Sequence, residues 1–420
     1  MSTSVPQAAP DGPFNFADLR SHGIGRGILK WFLDEPQWWM GWLRTCWPIL
    51  HIPCIRWAML TRFEHVQEAL AHEDIFQVQF DRRMQKLLRG PSFVLALQNG
   101  VEYEHQRRQL MQVFKLEDIE AIIAPRSADS ATRIVAECGG QIDAIEGLLT
   151  LVPTQLCESY YGIKIPEKKL FAQCLIAISA YVFGWPSEKS ERNAEVARKA
   201  AAYIRKLIEQ AISDVKATMD RSTTIVARLV GMQEGGACGP DDELIRAELF
   251  GMLVGFVPTN TIASGNVLEM LLRRKEFREQ AQAAACDDND ELLWRCLFET
   301  MRFKPINPGL FRRCEKTYTI AEGSSAAKRI PKGTWLLVST QSAMFDKRAV
   351  VEPKKFRPDR PTHESMVFGY GLHWCIGAFL AKAQITQTFK PLLKRDRLER
   401  AGRLQTVGII PTNLKVTFKP

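Results

Sequence analysis

The chain has 420 residues, of which 46% are hydrophobic and 25% are charged, and it carries a formal net charge of +9 with a pI near 9.0. This length suits one large domain or two or three average ones. Because no linker-like segment divides the chain, we predict one domain over 13–420 behind a flexible tail at 1–12. The excess of basic residues indicates an acidic partner or a solvated basic surface, while the lack of a nucleic-acid-binding motif argues against nucleic acid as a partner.

The N-terminal region 31–55 is the most apolar part of the sequence, but charged residues and prolines interrupt it. It cannot supply the roughly 18 to 20 continuous apolar residues that a membrane span requires, so we predict no transmembrane anchor. The ten cysteines form no CxxC pairs and no signal peptide precedes them, which favours a reducing cytoplasm. Four tryptophans are expected to line the core or a channel, with contact to a lipid surface as the alternative: Trp38, Trp39, Trp42 and Trp47.

Helical spacing of apolar residues predicts three long helices, at 168–181, 191–219 and 244–274. The third carries Pro258 near its middle. Because proline lacks an N–H group and clashes with the preceding turn, we expect this helix to kink or open there. Thr259 and Asn260 follow directly, and the Asn260 amide can donate and accept hydrogen bonds but cannot release a proton at neutral pH.

A further helix is predicted at 292–303, where Glu299 and Arg302 stand three residues apart and meet on one face. Such a pair is weak evidence alone, because exposed pairs at this spacing occur on many helices and contribute little to stability.

The most informative motif is the run 368–377 around Cys375. Two glycines before the cysteine and one after it allow positive φ angles and let the backbone approach a flat ligand. A helix is predicted directly behind, at 378–389, which places Cys375 at a helix N-terminus, where backbone N–H groups and the dipole favour a thiolate. A lone cysteine in a glycine-rich loop is usually a small buried residue, so the flanking pattern must carry the functional interpretation.

That flanking pattern resembles the haem-binding signature FxxGxxxCxG of the cytochrome P450 family at each fixed position, which are Phe368, Gly371, Cys375 and Gly377. The resemblance implies haem b as the cofactor, with the Cys375 thiolate as the axial ligand of its iron. It extends over nearly all of the sequence.

The resemblance also implies a fold that is mainly α with a small β region, in a single P450-like domain. The β region is expected near 51–60, 316–340 and 403–418. In this family an ExxR helix and an FxPxR segment form a buried charge network behind the haem loop. The matching residues are therefore structural organisers rather than catalytic groups: Glu299, Arg302 and Arg360.

Residues that contact the haem follow by the same resemblance. The family's C-helix is similar to 102–114, and its arginine binds a propionate, which favours Arg108 with His105 as the second choice. Another arginine is expected near the following β region, where register favours Arg312 over Arg313. The cysteine loop contributes the remaining expected contacts: Phe368, Gly369, His373, Cys375, Ile376 and Gly377.

The oxygen-side helix departs from the family pattern. Most members carry an acid and a threonine that relay protons there, whereas this chain places Pro258 at the position of the acid and Thr259 at that of the threonine. We favour an oxygen-dependent monooxygenase in which Thr259, Asn260 and water deliver protons, with electrons from a separate, acidic ferredoxin-type donor. One alternative is a peroxygenase or lipid hydroperoxide isomerase, in which Asn260 binds a peroxide. A haem-thiolate sensor or ligand-binding protein is the other.

A hydrophobic small-molecule or lipid-like substrate is expected from the apolar segments that the family places around its substrate. These are the loop 77–99, the helix near 171–185, Phe256 and the turn 306–310.

Overall fold

The computed structural model describes residues 37–184, 191–219, 223–234 and 239–420, so the predicted tail at 1–12 lies outside it. Helices dominate these ranges, which confirms the predicted mainly α class. The helices are α1 (Gln37–Cys46), α2 (Phe63–Ala71), α3 (Asp81–Leu88), α4 (Val101–Val113), α5 (Ala124–Glu137), α6 (Leu151–Ser159), α7 (Lys168–Phe183), α8 (Glu191–Thr218), α9 (Ile225–Glu234), α10 (Asp242–Arg273), α11 (Lys275–Cys286), α12 (Asp290–Phe303), α13 (Thr340–Ala343) and α14 (Ala378–Leu393).

Among the described residues, the β region is small and divided among four sheets. Its strands are β1 (Ile49–Ile52), β2 (Trp57–Leu60), β3 (Phe76–Gln77), β4 (Gln141–Asp143), β5 (Leu310–Cys314), β6 (Tyr318–Ile320), β7 (Lys328–Ile330), β8 (Trp335–Val338), β9 (Glu399–Arg400), β10 (Gln405–Val407), β11 (Ile410–Asn413) and β12 (Lys415–Thr417). Strands occur in each of the three predicted segments, and the largest sheet has the order β1-β2-β8-β5-β3. Strand β5 begins before the second predicted segment and pairs antiparallel with β8, with Arg312 opposite Leu336.

Helix α10 is the longest helix in the described ranges, and it passes beside the candidate site. It has 32 residues, and most of its side chains are buried on all sides. A helix that is apolar around its whole circumference is stable only where other elements cover it. Here α7, α8 and α12 provide that cover. Asp241 caps the N-terminus, because its side chain accepts a hydrogen bond from the Leu244 N–H group.

The predicted opening of α10 at Pro258 is absent, since the helix is continuous through this residue. Pro258 cannot donate a hydrogen bond to the preceding turn. The carbonyl oxygen that it leaves without a helical donor is that of Val254, four residues earlier. The side chains that follow the proline donate to a later carbonyl: Thr259 Oγ1 lies 3.1 Å and Asn260 Nδ2 2.9 Å from the carbonyl oxygen of Phe256. These bonds do not replace the missing one, so the helix continues through the proline with one backbone bond fewer.

Three of the four tryptophans at 38–47 are exposed rather than buried in the core as predicted. Trp42 and Trp47 are 54% and 53% exposed, and their rings pack edge to face with centroids 4.8 Å apart. Trp39 alone packs against a small buried cluster that includes Met40. Across the described ranges, no helix combines the length and the apolarity needed to cross a bilayer.

Glu248 is an acidic side chain buried within α10, with only 3% of its surface exposed. Its Oε1 accepts the N–H group of Val94 at 3.1 Å, and no described group hydrogen-bonds its Oε2. The neighbouring Phe93 packs so closely on Gly251 that any Cβ there would overlap its ring. Burial raises the pKa of Glu248 to about 8, and the hydrogen bond from Val94 opposes this only in part. The carboxyl group therefore ties the loop at 92–97 to the central helix.

We expect the Glu248→Gln substitution to stabilise the protein at neutral and alkaline pH. The folded protein retains a proton that the unfolded chain releases above its ordinary pKa of 4.5, so the free energy of unfolding falls as pH rises from 4.5 to about 8. At about 1.4 kcal/mol for each pH unit, the loss reaches at most about 5 kcal/mol. Glutamine avoids this loss and still accepts from Val94. Urea unfolding from about pH 5 to about pH 9 measures the difference, and parallel pH profiles for the two proteins would contradict it.

Candidate active site

Cys375 lies in a tight loop between α13 and α14, immediately before the N-terminus of α14. Its N–H group donates to the Phe368 carbonyl at 2.9 Å, which closes the loop. Gly369 and Gly371 adopt φ angles of 82° and 75°, in the region that favours glycine. At Gly371 a Cβ would also lie 2.6 Å from the Leu70 carbonyl oxygen. The backbone conformation thus favours glycine at both positions, and the close approach of α2 also requires it at Gly371.

The Cys375 thiol is free and partly accessible. The protein that surrounds its sulfur raises the pKa of the thiol, and the N–H group of Gly377 lowers it by less. The predicted preference for a thiolate at this helix N-terminus is therefore outweighed by burial in the protein alone. A bound metal ion would reverse the balance, because a coordinating thiol is deprotonated.

A buried charge network supports the loop from behind, as predicted. Glu299 and Arg302 form two hydrogen bonds, at 2.9 and 2.8 Å, and both side chains are almost fully buried. Arg360 Nε lies 3.2 Å from both carboxylate oxygens of Glu299, and its Nη1 lies 2.7 Å from Glu364. Arg302 also donates to the Met344 carbonyl at 3.0 Å. Two arginines and two carboxylates thereby fix α12 to the segment that precedes the cysteine loop.

Thr259 and Asn260 occupy the middle of α10. Thr259 is partly accessible, and its hydroxyl donates to the preceding turn at Gly255 and Phe256. Asn260 is buried, and no described group hydrogen-bonds its Oδ1. A Cβ built on Gly255 meets no atom within 4 Å, although the residue lies in an otherwise buried helix. Open space therefore flanks α10 at this turn.

The structure corrects the choice of basic residues on α4. Arg108 and His105 are both exposed, and Arg108 donates to its own helix at Glu104. Arg107 faces the cysteine loop instead, where its Nη1 lies 2.8 Å from the Leu372 carbonyl and 2.7 Å from the Tyr103 hydroxyl. Neighbouring residues of a helix point about 100° apart, so a register error of one position exchanges the inner and outer faces.

Arg312 and His373 lie inward, as predicted. Arg312 is 4% exposed, and its Nη1 donates to the Phe311 carbonyl at 3.0 Å. Burial lowers the pKa of His373 to about 4, with smaller contributions from Arg312 and Arg107. Arg313 instead points outward and pairs with Glu315 at 3.5 Å. Within the described protein, Arg312 Nε and His373 Nδ1 are buried without a hydrogen-bond partner.

These observations fit a haem group beside Cys375. Two buried side-chain nitrogens, Arg312 Nε and His373 Nδ1, have no hydrogen-bond partner among the described residues, which fits the need of two propionates for hydrogen-bonding or cationic partners. The free thiol would provide one ligand for iron, and the open space at Gly255 leaves room beside α10. The sequence pattern did not reveal two further members of the cluster, Tyr103 and Glu73, because only the fold brings them to the loop.

Comparisons with known proteins agree with this geometry. The cytochrome P450 family model matches residues 53–408. Cyclomarin C epoxidase CymV of Salinispora arenicola is 20% identical over 414 residues, which span 94% of this chain and 97% of that protein. Mycinamicin IV hydroxylase/epoxidase of Micromonospora griseorubida is 23% identical over 342 residues, spanning 77% and 80% of the two chains. The structure of a mutant of P450 EryK with erythromycin B superimposes with a TM-score of 0.76 at 20% identity, covering 93% of this chain and 97% of that one.

The matches confirm the predicted fold and the predicted class of enzyme. The relatives are hydroxylases, epoxidases and monooxygenases, which does not favour the peroxide-using or sensor alternatives. The family implies a haem held by a cysteine thiolate. The chain belongs to the cytochrome P450 family and is a monooxygenase of that family.

Proposed function

We propose that this monooxygenase oxidises a hydrophobic small-molecule or lipid-like substrate with haem b bound through the Cys375 thiolate. The observation that carries the proposal is the cysteine loop: Cys375 has a free thiol, and His373 and the buried Arg312 each have a side-chain nitrogen without a partner in the described part of the chain. The haem supplies oxygen activation, which electron donation from an anionic sulfur promotes. The chain orients the reactants and excludes water.

Cys375 is the proposed iron ligand, and the propionates are assigned to Arg107, Arg312 and His373. Arg107 replaces Arg108 and His105 in this role because it alone of the three faces the loop. The rest of the loop provides backbone and apolar contacts to the flat face of the cofactor, from Phe368, Gly369, Ile376 and Gly377.

An apolar substrate is consistent with how the predicted substrate segments pack. Phe80, after β3, meets Phe183 at the end of α7 with ring centroids 5.0 Å apart. Helix α3 divides the predicted loop 77–99, and Phe93 beyond this helix packs on α10 at Gly251. Trp185, at the limit of the predicted helix segment, lies outside the described residues.

Thr259 and Asn260 are the proposed residues for proton delivery. Since the Thr259 hydroxyl donates to its own helix, its oxygen remains able to accept a hydrogen bond from water. The Asn260 Oδ1 is likewise an acceptor without a donor. Neither group is an acid, so the protons must arrive through water that these two acceptors orient.

The experiment that tests the oxidant compares two reactions of the purified haem-loaded protein on a panel of hydrophobic small molecules. One contains oxygen, NADPH and surrogate ferredoxin partners, and the other contains hydrogen peroxide or a lipid hydroperoxide without reductant. We expect product only, or far more rapidly, in the first. Rapid conversion with peroxide alone would overturn the proposed route.

We expect Thr259→Val to lower the yield of product per NADPH consumed by about tenfold or more, the scale of losing a positioned proton-transfer group. Valine keeps the shape of threonine but accepts no hydrogen bond. The matched Thr259→Ser variant retains the hydroxyl and should stay near the wild-type yield. If the valine and serine variants gave equal yields of product per NADPH, Thr259 would have no role in proton delivery.

A second pair of variants tests the haem contacts on α4. Losing a charge-assisted hydrogen bond costs about 1.5 to 3 kcal/mol, so Arg107→Gln should speed haem transfer to a scavenger protein by about ten- to a hundredfold. Arg108→Gln, one residue further along, is the control and should release haem at the wild-type rate. The reverse ranking would restore Arg108 as the propionate contact.

An acidic ferredoxin-type protein is the proposed electron donor. The outer face of α4 exposes Arg108 and His105 beside the cysteine loop, and the chain carries a net charge of +9. Opposite charges speed association and are screened by salt. Reduction by such a donor should therefore slow as ionic strength rises. A cytoplasmic location stays a prediction.

A further inference from the structure

Glu73 reaches the cysteine loop from a distant part of the chain. It lies two residues beyond the end of α2 and is 5% exposed. Its Oε1 accepts the N–H group of His373 at 3.2 Å, and its Oε2 lies 3.4 Å from His373 Nε2. The second contact lacks hydrogen-bond geometry, since Oε2 has no hydrogen-bond partner among the described residues. The first contact fixes a peptide group two residues before Cys375.

The end of α2 packs tightly against the same loop. At Gly371 a Cβ would lie 2.6 Å from the Leu70 carbonyl oxygen and 3.7 Å from Glu73 Oε1. The His373 N–H group is therefore bound by Glu73, and Gly371 packs closely against the Leu70 backbone. These two contacts restrict movement of the loop relative to the segment 70–73.

Glu73 also brings a negative charge into a basic cluster. Arg312 and Arg107 both act on it electrostatically, and Glu73 is the carboxylate that acts on Arg312. Burial nevertheless raises the pKa of Glu73, because it outweighs the hydrogen bond from His373 and the two arginines. Keeping this residue buried in its charged form is therefore energetically costly.

We propose that Glu73 is a positioning residue for the thiolate ligand. It holds the peptide group of His373 in place, and its negative charge lowers the reduction potential of the iron. A negative charge near the metal disfavours gain of an electron, and the low-dielectric surroundings strengthen the effect. The inference rests on the proposed binding of haem by Cys375.

The test uses the haem-loaded full chain and separates the effect of the hydrogen bond to His373 from the effect of the negative charge. Glu73→Gln keeps an oxygen acceptor for His373 and removes the charge, whereas Glu73→Ala removes both. Glu68→Gln is the control, because Glu68 stands on α2 and accepts from Ala321 N–H at 3.0 Å, away from the cysteine loop. Two readouts are taken: the midpoint potential, and the absorption band of the ferrous carbonyl complex, which reports whether the thiolate ligates.

We expect Glu73→Gln to retain the thiolate band and to have a higher midpoint potential than wild type and Glu68→Gln. In Glu73→Ala at least half of the protein should lose the thiolate band during mild heating that leaves the control intact. A potential in Glu73→Gln equal to the control, or full ligation in heated Glu73→Ala, would overturn the inference alone. Failure of the wild-type chain to bind haem would overturn the proposed function and, with it, the inference.

Discussion

Replacing Cys375 with serine is expected to abolish monooxygenase turnover, with a loss greater than about a hundredfold, the scale of removing a principal electrostatic group from an active site. A serine hydroxyl does not provide the anionic sulfur that promotes cleavage of the oxygen–oxygen bond. The fold should survive, because the bond from residue 375 to the Phe368 carbonyl is made by the backbone. The thermal midpoint of the haem-free protein should therefore change little.

The matched control is Cys54→Ser, which removes a free thiol that is exposed near β1. It should retain wild-type turnover and the thiolate absorption of the ferrous carbonyl complex. The Cys375 prediction would be wrong if the serine variant kept that absorption or more than about a tenth of wild-type turnover, since a different residue would then ligate the iron.

Replacing Arg302 with methionine should cause the largest loss of stability, about 3 to 5 kcal/mol in the free energy of unfolding. Arg302 is 1% exposed and binds both carboxylate oxygens of Glu299. Its guanidinium also lies 4.6 and 4.5 Å from the rings of Phe303 and Phe345. Removing it leaves Arg360 as the sole arginine side chain on the buried Glu299 carboxylate in the described structure, beside the backbone N–H group of Arg357.

Arg295 provides a close control, because it pairs with Glu291 on the same helix at 2.9 Å but is 53% exposed. Exposed pairs contribute about 0 to 1 kcal/mol, so Arg295→Met should hardly change stability. Urea unfolding of both variants, with and without haem, measures the contrast. Similar losses in the two variants would mean that burial does not make this network important.

Contiguous motifs made the centre of the site predictable. The loop around Cys375 is contained within ten residues, so its glycines, cysteine and following helix could be assigned from the sequence. The sequence also favoured Arg312 over Arg313, since side chains alternate along a strand and only one of two adjacent arginines can face inward. The structure buries Arg312, and its contact with haem stays a prediction. The pair Glu299 and Arg302 depended on helical spacing, which the structure preserves.

Other features depend on tertiary contacts or on exact rotation. On α4 the sequence favoured Arg108, whereas the structure turns Arg107 toward the loop. Six polar or charged residues stand in a row at 104–109, with no local signal of which one faces inward. Glu73 contacts His373 across 300 residues of sequence, so no local pattern could connect them. The continuity of α10 through Pro258 could not be predicted from proline propensity, because tertiary packing covers the helix at this turn.

The loop that carries Phe93 has a kinetic consequence. Its Ser92 is bound by Asp81 and Gln85 of α3 and by Gln106 of α4, while Val94 is bound by Glu248 of α10. A displacement of this loop must break bonds to three helices in one event, so its opening should be cooperative and infrequent. Where a substrate or product passes this loop, the frequency of opening rather than the chemical step would set the rate of turnover.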